Sequence, residues 1–448
     1  MIEKNDPKRK ELCDKVIETV KEQDIKFIYL QFTDIHGIIK SFEINAKRIE
    51  DFLQDGENFD GSSITGYGAI EESDKVAIPD PSTFCIIPWR KEKNVARFLS
   101  DIYNPDGSRY NGDPRYILQK AVKKAKEHGY EYFCAPELEF FILEKDTKEK
   151  AFSPSDMRGY FDYDPYDINE RMRFTFAEYC DAMGIEIEVL HHEVALGQHE
   201  IDFKYGPAVE TADNTNTIKM IVKTVAAQNN MTATFMPKPF AGINGSGMHV
   251  HQSLWKDGKN IFYDPNDKNQ LSKVAKYFIA GLLKYVKEIC VILNPTVNSY
   301  KRLVPGYEAP TYISWANRNR SALIRIPSKR GKSTRCELRN PDLSGNPYLQ
   351  FAVMLAAGWR GVEEKIEPPE PVEKNIYALT KEERMQHGID ELPDSLGHAL
   401  LLTSKSEFVK EILGDHIYDN FLHVKHKEWE EYRMQVTKWE IDRYLPLV

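Results

Sequence analysis

The stretch Tyr132-Phe133-Cys134-Ala135-Pro136-Glu137-Leu138-Glu139-Phe140-Phe141 decides the fold of this chain. It is aromatic and apolar almost throughout and predicts a largely buried β-strand. Glu137 and Glu139 interrupt it two positions apart, and alternate residues of a strand project from the same face. Because like charges in a low-dielectric place repel, either one carboxylate is protonated or a positive group lies between them. On this segment alone, a solvent-facing side of an amphipathic strand is an equal alternative.

The length and composition indicate a soluble globular protein of two domains. The 448 residues exceed the size at which a single hydrophobic core usually keeps growing. A net charge of −9 argues against nucleic acid as the main partner. No signal peptide is visible at the N-terminus, and the longest uncharged run, Asn346 to Trp359, is too short to span a membrane. Six scattered cysteines without a Cys-x-x-Cys pair indicate reduced thiols. We therefore expect a cytoplasmic protein without nucleic-acid or membrane partners.

The turn cluster Asn104-Pro105-Asp106-Gly107 is the predicted domain boundary. Residues 1–107 predict a small α+β domain, with a β-hairpin over 27–44 and a Gly/Ser-rich loop over 59–68. Residues 108–448 form the second predicted domain. Its helices are expected at about 114–128, 167–183, 213–231, 269–292, 346–363 and 427–443.

Three further segments repeat the alternation of apolar and ionisable residues. His249 and His251 share one face of a predicted strand, and Glu337 lies between two arginines on one face of another. Glu193 and Glu200 flank a turn that contains a glycine. The charges of four such segments must be either all exposed or mutually neutralised. Carboxylates with few histidines suit magnesium or manganese better than zinc or copper.

Arginines and a glycine-rich loop accompany these carboxylates. Planar guanidinium groups recognise phosphate and carboxylate, and here they are Arg302, Arg318, Arg320, Arg325, Arg335 and Arg339. Metal, arginine and a glycine loop together indicate phosphoryl transfer. Gly331-Lys332-Ser333 looks like half of a P-loop, but Ile326 stands where that motif needs glycine, so a P-loop is excluded.

The ordered motifs of the chain resemble class I glutamine synthetase, in its shorter, non-adenylylated subclass. They run through the whole chain and comprise residues 59–63, 136–140, 191–200, 238–249, 319–327, 337–339 and 346–348. The resemblance implies an α+β fold, with a small β-grasp-like N-terminal domain and a large catalytic domain whose curved antiparallel sheet is flanked by helices. It also implies that ATP, glutamate and ammonium give glutamine through γ-glutamyl phosphate, with two or more Mg²⁺ (or Mn²⁺) ions in each site.

The resemblance implies a role for each matched residue. One metal would lie on Glu139, Glu193 and Glu200, and the other on Glu137, His249 and Glu337. ATP would contact Glu188, His251, Ser253, Arg320, Arg325, Lys332 and Arg335. Glutamate would contact Asn244, Gly245, Arg302, Glu308 and Arg339. Ammonium would contact Asp60, Ser63, Tyr160, Glu193 and Glu308. The catalytic residues would be Asp60, Glu308, Arg320 and Arg339, with Glu308 on a flap over 304–308.

The resemblance also concerns assembly and regulation. It implies a dodecamer of two stacked hexamers, in which Asp60 enters the site of the neighbouring subunit and the helix at 427–443 reaches the opposite ring; a helix folded on its own domain is the alternative. Tyr377 aligns with an adenylylated tyrosine but lacks the surrounding Asp and Pro, and Gly68-Ala69-Ile70 lacks a feedback arginine. Neither adenylylation nor glutamine feedback through that arginine is therefore expected. The remaining candidate regulators are 2-oxoglutarate and a PII-like partner.

Two other functions fit the same fold. A γ-glutamyl-polyamine or other amine ligase would keep the ATP and metal residues but need no ammonium pocket, whereas Asp60, Ser63 and Tyr160 occur together here. A non-catalytic structural relative could dispense with metal ligands, whereas all six positions are filled. Both comparisons favour the ammonium-using ligase.

Overall fold

The computed structural model describes residues 7–68, 73–146, 151–163 and 168–447. The helices of these residues are α1 Pro7–Glu22, α2 Ile49–Asp55, α3 Pro114–Glu127, α4 Ile168–Ala182, α5 Ala208–Gln228, α6 Lys273–Leu293, α7 Ser299–Arg302, α8 Pro347–Glu364, α9 Lys381–Gln386, α10 Leu396–Thr403, α11 Glu407–Arg433 and α12 Lys438–Tyr444. The strands are β1 Phe27–Thr33, β2 Ile39–Asn45, β3 Glu57–Asp60, β4 Asp74–Pro79, β5 Cys85–Ile86, β6 Val95–Tyr103, β7 Glu131–Asp146, β8 Ala151–Pro154, β9 Ile187–His192, β10 Gln198–Phe203, β11 Gly206–Pro207, β12 Thr232–Thr234, β13 Val250–Lys256, β14 Lys259–Asn260, β15 Tyr312–Ile313, β16 Trp315–Asn317, β17 Ile324–Ile326, β18 Cys336–Leu338 and β19 Asp390–Glu391. Among them, no helix is both long and apolar enough to cross a membrane.

The first sheet contains the predicted hairpin. Its order is β2-β1-β6-β4-β3, with β5 beside β6, and β1 pairs with β2 antiparallel and with β6 parallel. Helices α1 and α2 contribute Val16, Val20, Phe52 and Leu53 to its hydrophobic cluster. This cluster is separate from the larger one formed by residues from 117 onwards. The predicted boundary between residues 107 and 108 stays a prediction.

The second sheet is built around β7, the strand predicted from the opening stretch. Its order is β16-β17-β18-β13-β7-β10-β9, and β8, β11 and β12 also pair with β7. The pairing is antiparallel except between β16 and β17, which are parallel. Leu138 and Phe140 are fully buried in one cluster with residues of α5, α6 and α8. Because side chains alternate along a strand, Glu137 and Glu139 face away from these helices.

One predicted helix is wrong in its extent. Residues 427–443 are not continuous: α11 ends at Arg433 and α12 begins at Lys438. Thr437 caps α12, since its side chain accepts from the Glu440 amide while the Glu440 side chain accepts from the Thr437 amide. Such a capping box starts a new helix at that point. The other predicted helices are present, with ends shifted by up to five residues.

Candidate active site

The site is built on the face of β7 that carries Glu137 and Glu139. In the register of β10, Glu200 lies opposite Glu139, and Asp202 lies opposite Glu137. On the other side of β7, the amide of Glu137 donates to the carbonyl of His249, 2.9 Å away. Directly paired residues of antiparallel strands place their side chains on the same face. The alternation that predicted two neighbouring carboxylates therefore brings four acidic groups together.

The first group of predicted metal ligands surrounds Glu137. His251 Nε2 and His249 Nδ1 lie 2.7 and 2.9 Å from its two carboxylate oxygens, and His249 Nδ1 is 3.8 Å from Glu337. Glu337 also accepts from Arg325 and from Arg339, whose Nε is 3.2 Å away. Ligand atoms of Glu137, His251 and Glu337 lie within 4.8 Å of one another. This set contains His251, whereas the prediction assigned His249 to the metal.

The second group surrounds Glu139. Its Oε2 accepts from the Gly247 amide at 2.8 Å and from Gln198 Nε2 at 3.2 Å. Burial and the neighbouring Glu139 carboxylate raise the pKa of Glu193 to about 8. The same two causes raise the pKa of Glu200 to about 11. The negative charge of Glu139 thus disfavours ionisation of Glu193 and Glu200.

This donor set fits divalent cations. Crowded carboxylates need positive charge between them, which protons supply at the raised pKa values and a bound cation supplies more effectively. Oxygen ligands with one or two imidazoles suit Mg²⁺ or Mn²⁺. The alternative to a metal site was a strand face exposed to solvent. It is wrong for Glu139 and Glu337, because both are buried.

The carboxylates form the floor of a cavity of about 870 Å³. All six predicted metal ligands line it. So do the predicted phosphate-neutralising and substrate residues Arg320, Arg325, Asn244, Gly245, Arg302, Arg339, Tyr160 and Glu308. The structure therefore brings these predicted residues together around one cavity. Their individual roles stay predictions.

A second cavity of about 380 Å³ contains the other predicted ATP residues. It is lined by Glu188, His251, Ser253, Lys332 and Arg335. Glu137 and Asp202 line both cavities. Reactants held in the two cavities would therefore meet at the carboxylates of β7 and β10.

Arg302 is buried beneath the larger cavity and is held in place by the backbone. Its Nη1 donates to the carbonyl of Asn340 at 2.8 Å, and its Nη2 donates to the carbonyl of Arg339 at 3.1 Å. A Cβ on Gly247 would lie 2.3 Å from Arg302 Nη2, so only glycine allows this approach. These backbone contacts hold the guanidinium group in one position.

The predicted flap is attached to the site by three contacts. Asn244 Nδ2 donates to Glu308 at 3.2 Å, and Lys238 Nζ lies 3.9 Å from the centre of the Tyr307 ring. Just beyond the flap, the Ala309 carbonyl accepts from the Tyr377 hydroxyl at 2.8 Å. These contacts hold Glu308 at the edge of the cavity.

Asp60 and Ser63 are the predicted residues that the structure does not bring into the cavity of their own chain. Asp60 ends β3 in the first sheet, is exposed, and accepts from the Ser62 amide and hydroxyl at 2.8 and 2.7 Å. The Ser62 hydrogen bonds lower the pKa of Asp60. The carboxylate is therefore ionised and available to another molecule.

Comparisons with known proteins agree with this architecture. Residues 24–105 match the family model "Glutamine synthetase, beta-Grasp domain", and residues 111–444 match "Glutamine synthetase, catalytic domain". The chain belongs to the glutamine synthetase family. It is 51% identical to the glutamine synthetase of Clostridium saccharobutylicum, over 96% of this chain and 98% of that protein. It is also 51% identical to the glutamine synthetase of Methanosarcina mazei, over 97% of each chain.

Solved structures show the same fold. A complex of GmaS with ADP has a TM-score of 0.88 at 31% identity, over 96% of this chain and 99% of that one. Plasmodium falciparum glutamine synthetase has a TM-score of 0.87 at 28% identity, over 96% and 98% of the two chains. The predicted β-grasp and curved-sheet architecture is thereby confirmed. The enzyme is a glutamate–ammonia ligase that uses ATP with Mg²⁺ or Mn²⁺.

The sequence analysis gave no role to several cavity residues of this glutamine synthetase. Asp202 and His191 lie beside Glu200, and Asn319, Ser321 and Asn375 line the larger cavity. In the smaller cavity, Phe133, Tyr205 and Trp255 form an aromatic wall, with the Tyr205 and Trp255 rings stacked. Strand alternation signalled Asp202, two positions after Glu200, whereas the others depend on contacts between distant segments.

Two segments that the sequence analysis linked to regulation are described by the structure in part. Tyr377 is half-buried, and its hydroxyl is engaged with Ala309. The stretch Gly68-Ala69-Ile70 lacks the arginine of feedback-inhibited relatives, and its residues Ala69 and Ile70 lie outside the described residues.

Proposed function

We propose that the enzyme carries out its ligase reaction above β7, with glutamate in the larger cavity and ATP in the smaller one. The observation that supports this arrangement is that Glu137 and Asp202 line both cavities. The γ-carboxylate of glutamate and the terminal phosphate of ATP can therefore approach each other at one point. Such positioning supplies much of the catalysis in phosphoryl transfer.

Buried arginines bind and neutralise the substrates. Arg339 and the immobilised Arg302 receive the carboxylates of glutamate, while Asn244 and Gly245 contact its other polar groups. ATP lies along Glu188, His251, Ser253, Lys332 and Arg335. Guanidinium groups that the protein holds in place stabilise charge without reorganising.

The metal ligands are the two groups of carboxylates described above. One cation would be held by Glu139, Glu193 and Glu200, and the other by Glu137, His249 and Glu337. Bound there, divalent cations supply charge neutralisation for the phosphate oxygens.

In the first step, a γ-carboxylate oxygen of glutamate attacks the γ-phosphorus of ATP. The bond between that phosphorus and the β–γ bridging oxygen breaks, and ADP leaves with the bonding electron pair. Arg320 and Arg325 line the cavity and neutralise the transferred group. The γ-glutamyl phosphate that forms is sensitive to water, so the flap with Glu308 closes the cavity.

In the second step, ammonia attacks the carbonyl carbon of γ-glutamyl phosphate, and the bond from that carbon to the phosphate oxygen breaks. Phosphate leaves with the bonding electron pair, and the attacking nitrogen passes one proton to the Glu308 carboxylate. Ammonium cannot attack while protonated, so Tyr160, Glu193 and Glu308 bind it and Asp60 of a second protomer removes its proton. Asp60 is suited to this because it is exposed and because the Ser62 hydrogen bonds lower its pKa and keep it ionised. The site is complete only between protomers.

The proposed assembly is a dodecamer of two stacked hexamers. Large apolar side chains of α12 and the adjoining C-terminal residues support an inter-ring contact, since Trp439, Ile441 and Leu445 are 64%, 47% and 72% exposed. Apolar surface of this kind marks an interface. Regulation by 2-oxoglutarate or a PII-like partner stays a prediction.

The test is substrate-dependent phosphate release by the purified enzyme with Mg²⁺, ATP and glutamate. Ammonium should support turnover and stoichiometric glutamine, whereas methylamine and polyamines should support little. Strong turnover with an amine and none with ammonium would contradict the proposed ammonium pocket.

A further inference from the structure

We propose that Asp156 is a positioning residue that fixes the turn that begins at Glu193 and leads into the strand carrying Glu200, two of the metal-binding glutamates. The turn covers residues 193–197 between β9 and β10, with Glu193 at its start and Glu200 three residues beyond its end. The inference rests on the proposed assignment of Glu193 and Glu200 to one cation. Asp156 itself does not line the cavity.

The Asp156 carboxylate joins both ends of this turn. Its Oδ1 lies 2.9 Å from His192 Nε2 and accepts from the Gly197 amide, also at 2.9 Å. The same oxygen accepts from the Arg158 amide at 3.1 Å, and Oδ2 accepts from Asn169 Nδ2. The side chain is only 10% exposed, so few water molecules can replace these contacts.

The turn is also pressed against β7 and β8. Gly197 has a φ of +68°, and a Cβ there would lie 2.9 Å from the Ile142 carbonyl. The Gly197 carbonyl accepts from the Ile142 amide at 2.8 Å. Across the turn, the Glu193 amide donates to the Gln198 carbonyl at 2.8 Å. A displacement of either anchored end would therefore move Glu193 with the backbone.

Asp156, His192 and His199 have ligand atoms within 4.8 Å of one another, which raises the alternative of a third cation site. Their partners argue against it. His192 Nδ1 lies 2.7 Å from the Glu193 carbonyl while its Nε2 faces Asp156, so both ring nitrogens point at acceptors. Arg173 Nη1 lies 3.1 Å from His199 Nδ1 and already provides positive charge. The group is a hydrogen-bonded anchor.

Residues that orient metal ligands affect affinity without touching the ion. Losing such a partner typically weakens metal binding by about 10- to 100-fold. Asp156→Asn keeps the shape of the side chain but removes the charge opposite His192. We therefore expect a loss within that range for one class of Mn²⁺ site.

The test measures free Mn²⁺ by electron paramagnetic resonance during titration of the full-length enzyme, without ATP or glutamate. Asp156→Asn should weaken one class of site about 10- to 100-fold, and saturating Mn²⁺ should restore kcat, which general misfolding would not allow. Asp34→Asn is the matched control, because Asp34 also pins a turn through two amides, those of His36 and Ile38, but this turn joins β1 and β2 of the first sheet. Its Mn²⁺ affinity should equal that of the parent.

Glu193→Gln separates this inference from the proposed function. If Glu193→Gln weakens Mn²⁺ binding and Asp156→Asn leaves it unchanged, the anchor role is wrong. If Glu193→Gln itself leaves binding unchanged, the ligand assignment is wrong. Should Asp156→Asn not fold, His192→Phe removes the same contact while keeping a ring, and unchanged Mn²⁺ affinity in that variant would overturn the proposal.

Discussion

The hydroxyl of Tyr377 offers a direct way to loosen the flap. It donates to the Ala309 carbonyl at 2.8 Å, directly after the flap. Tyr377→Phe removes this hydrogen bond and keeps the ring, which packs 6.2 Å from the ring of Tyr312. A neutral hydrogen bond contributes about 1 kcal/mol net, so the ratio of open to closed flap should rise about fivefold.

An open flap admits water to γ-glutamyl phosphate, so phosphate would be released without glutamine. The assay measures phosphate and glutamine in the same reaction. We expect the excess of phosphate over glutamine to rise about fivefold in Tyr377→Phe, in line with the lost hydrogen bond. Tyr312→Phe is the control, since it removes a hydroxyl from the other ring of the same pair and keeps the packing of that ring on the guanidinium group of Arg384. An unchanged ratio in Tyr377→Phe, or an equal rise in Tyr312→Phe, would refute the role of the hydroxyl.

Three further predictions concern the two cavities and the metal ligands. Arg339→Lys should lower kcat/KM for glutamate about 10- to 100-fold, because lysine cannot keep the contact with Glu337 while binding a carboxylate bidentately. In steady-state kinetics, an unchanged KM for ATP would support this role, and equal effects on both substrates would contradict it. Tyr205→Ala should raise the Kd for ATP about tenfold in calorimetry if the base stacks on the aromatic wall, and an unchanged Kd would place the base elsewhere. Since burial and Glu139 raise the pKa of Glu193 to about 8, Mn²⁺ must displace a proton from Glu193 below that pH. The affinity for Mn²⁺ should therefore rise about tenfold per pH unit for each proton displaced. An affinity that does not change with pH would contradict the raised pKa of Glu193.

The sequence predicted the parts of the site that lie on strands. Alternation with a period of two placed Glu137 beside Glu139 and Glu337 beside Arg339, and both pairs face the same cavity. The family resemblance then supplied roles that alternation cannot give. Strand-borne residues are predictable because one local pattern fixes both their face and their neighbours.

Contacts between distant segments were not predictable in this way. Asp156 meets His192 across 36 residues, and Tyr377 meets Ala309 across 68 residues, without any local pattern. The break between α11 and α12 did have a local signal, since Thr437 and Glu440 have the spacing of a capping box. The apolar and charged pattern around it outweighed that signal.

The central claim is that each active site is shared between two protomers, and mixed oligomers test it most directly. Asp60→Ala and Glu137→Gln should each have little activity, because one lacks the base it gives to its neighbour and the other lacks a carboxylate of its own cavity. In an equal, random mixture assembled by co-expression, a site is intact when an Asp60→Ala catalytic domain meets the N-terminal domain of a Glu137→Gln neighbour. About a quarter of the sites meet this condition. We predict about a quarter of the parental activity in the mixture; activity no higher than that of the separate variants would contradict a shared site.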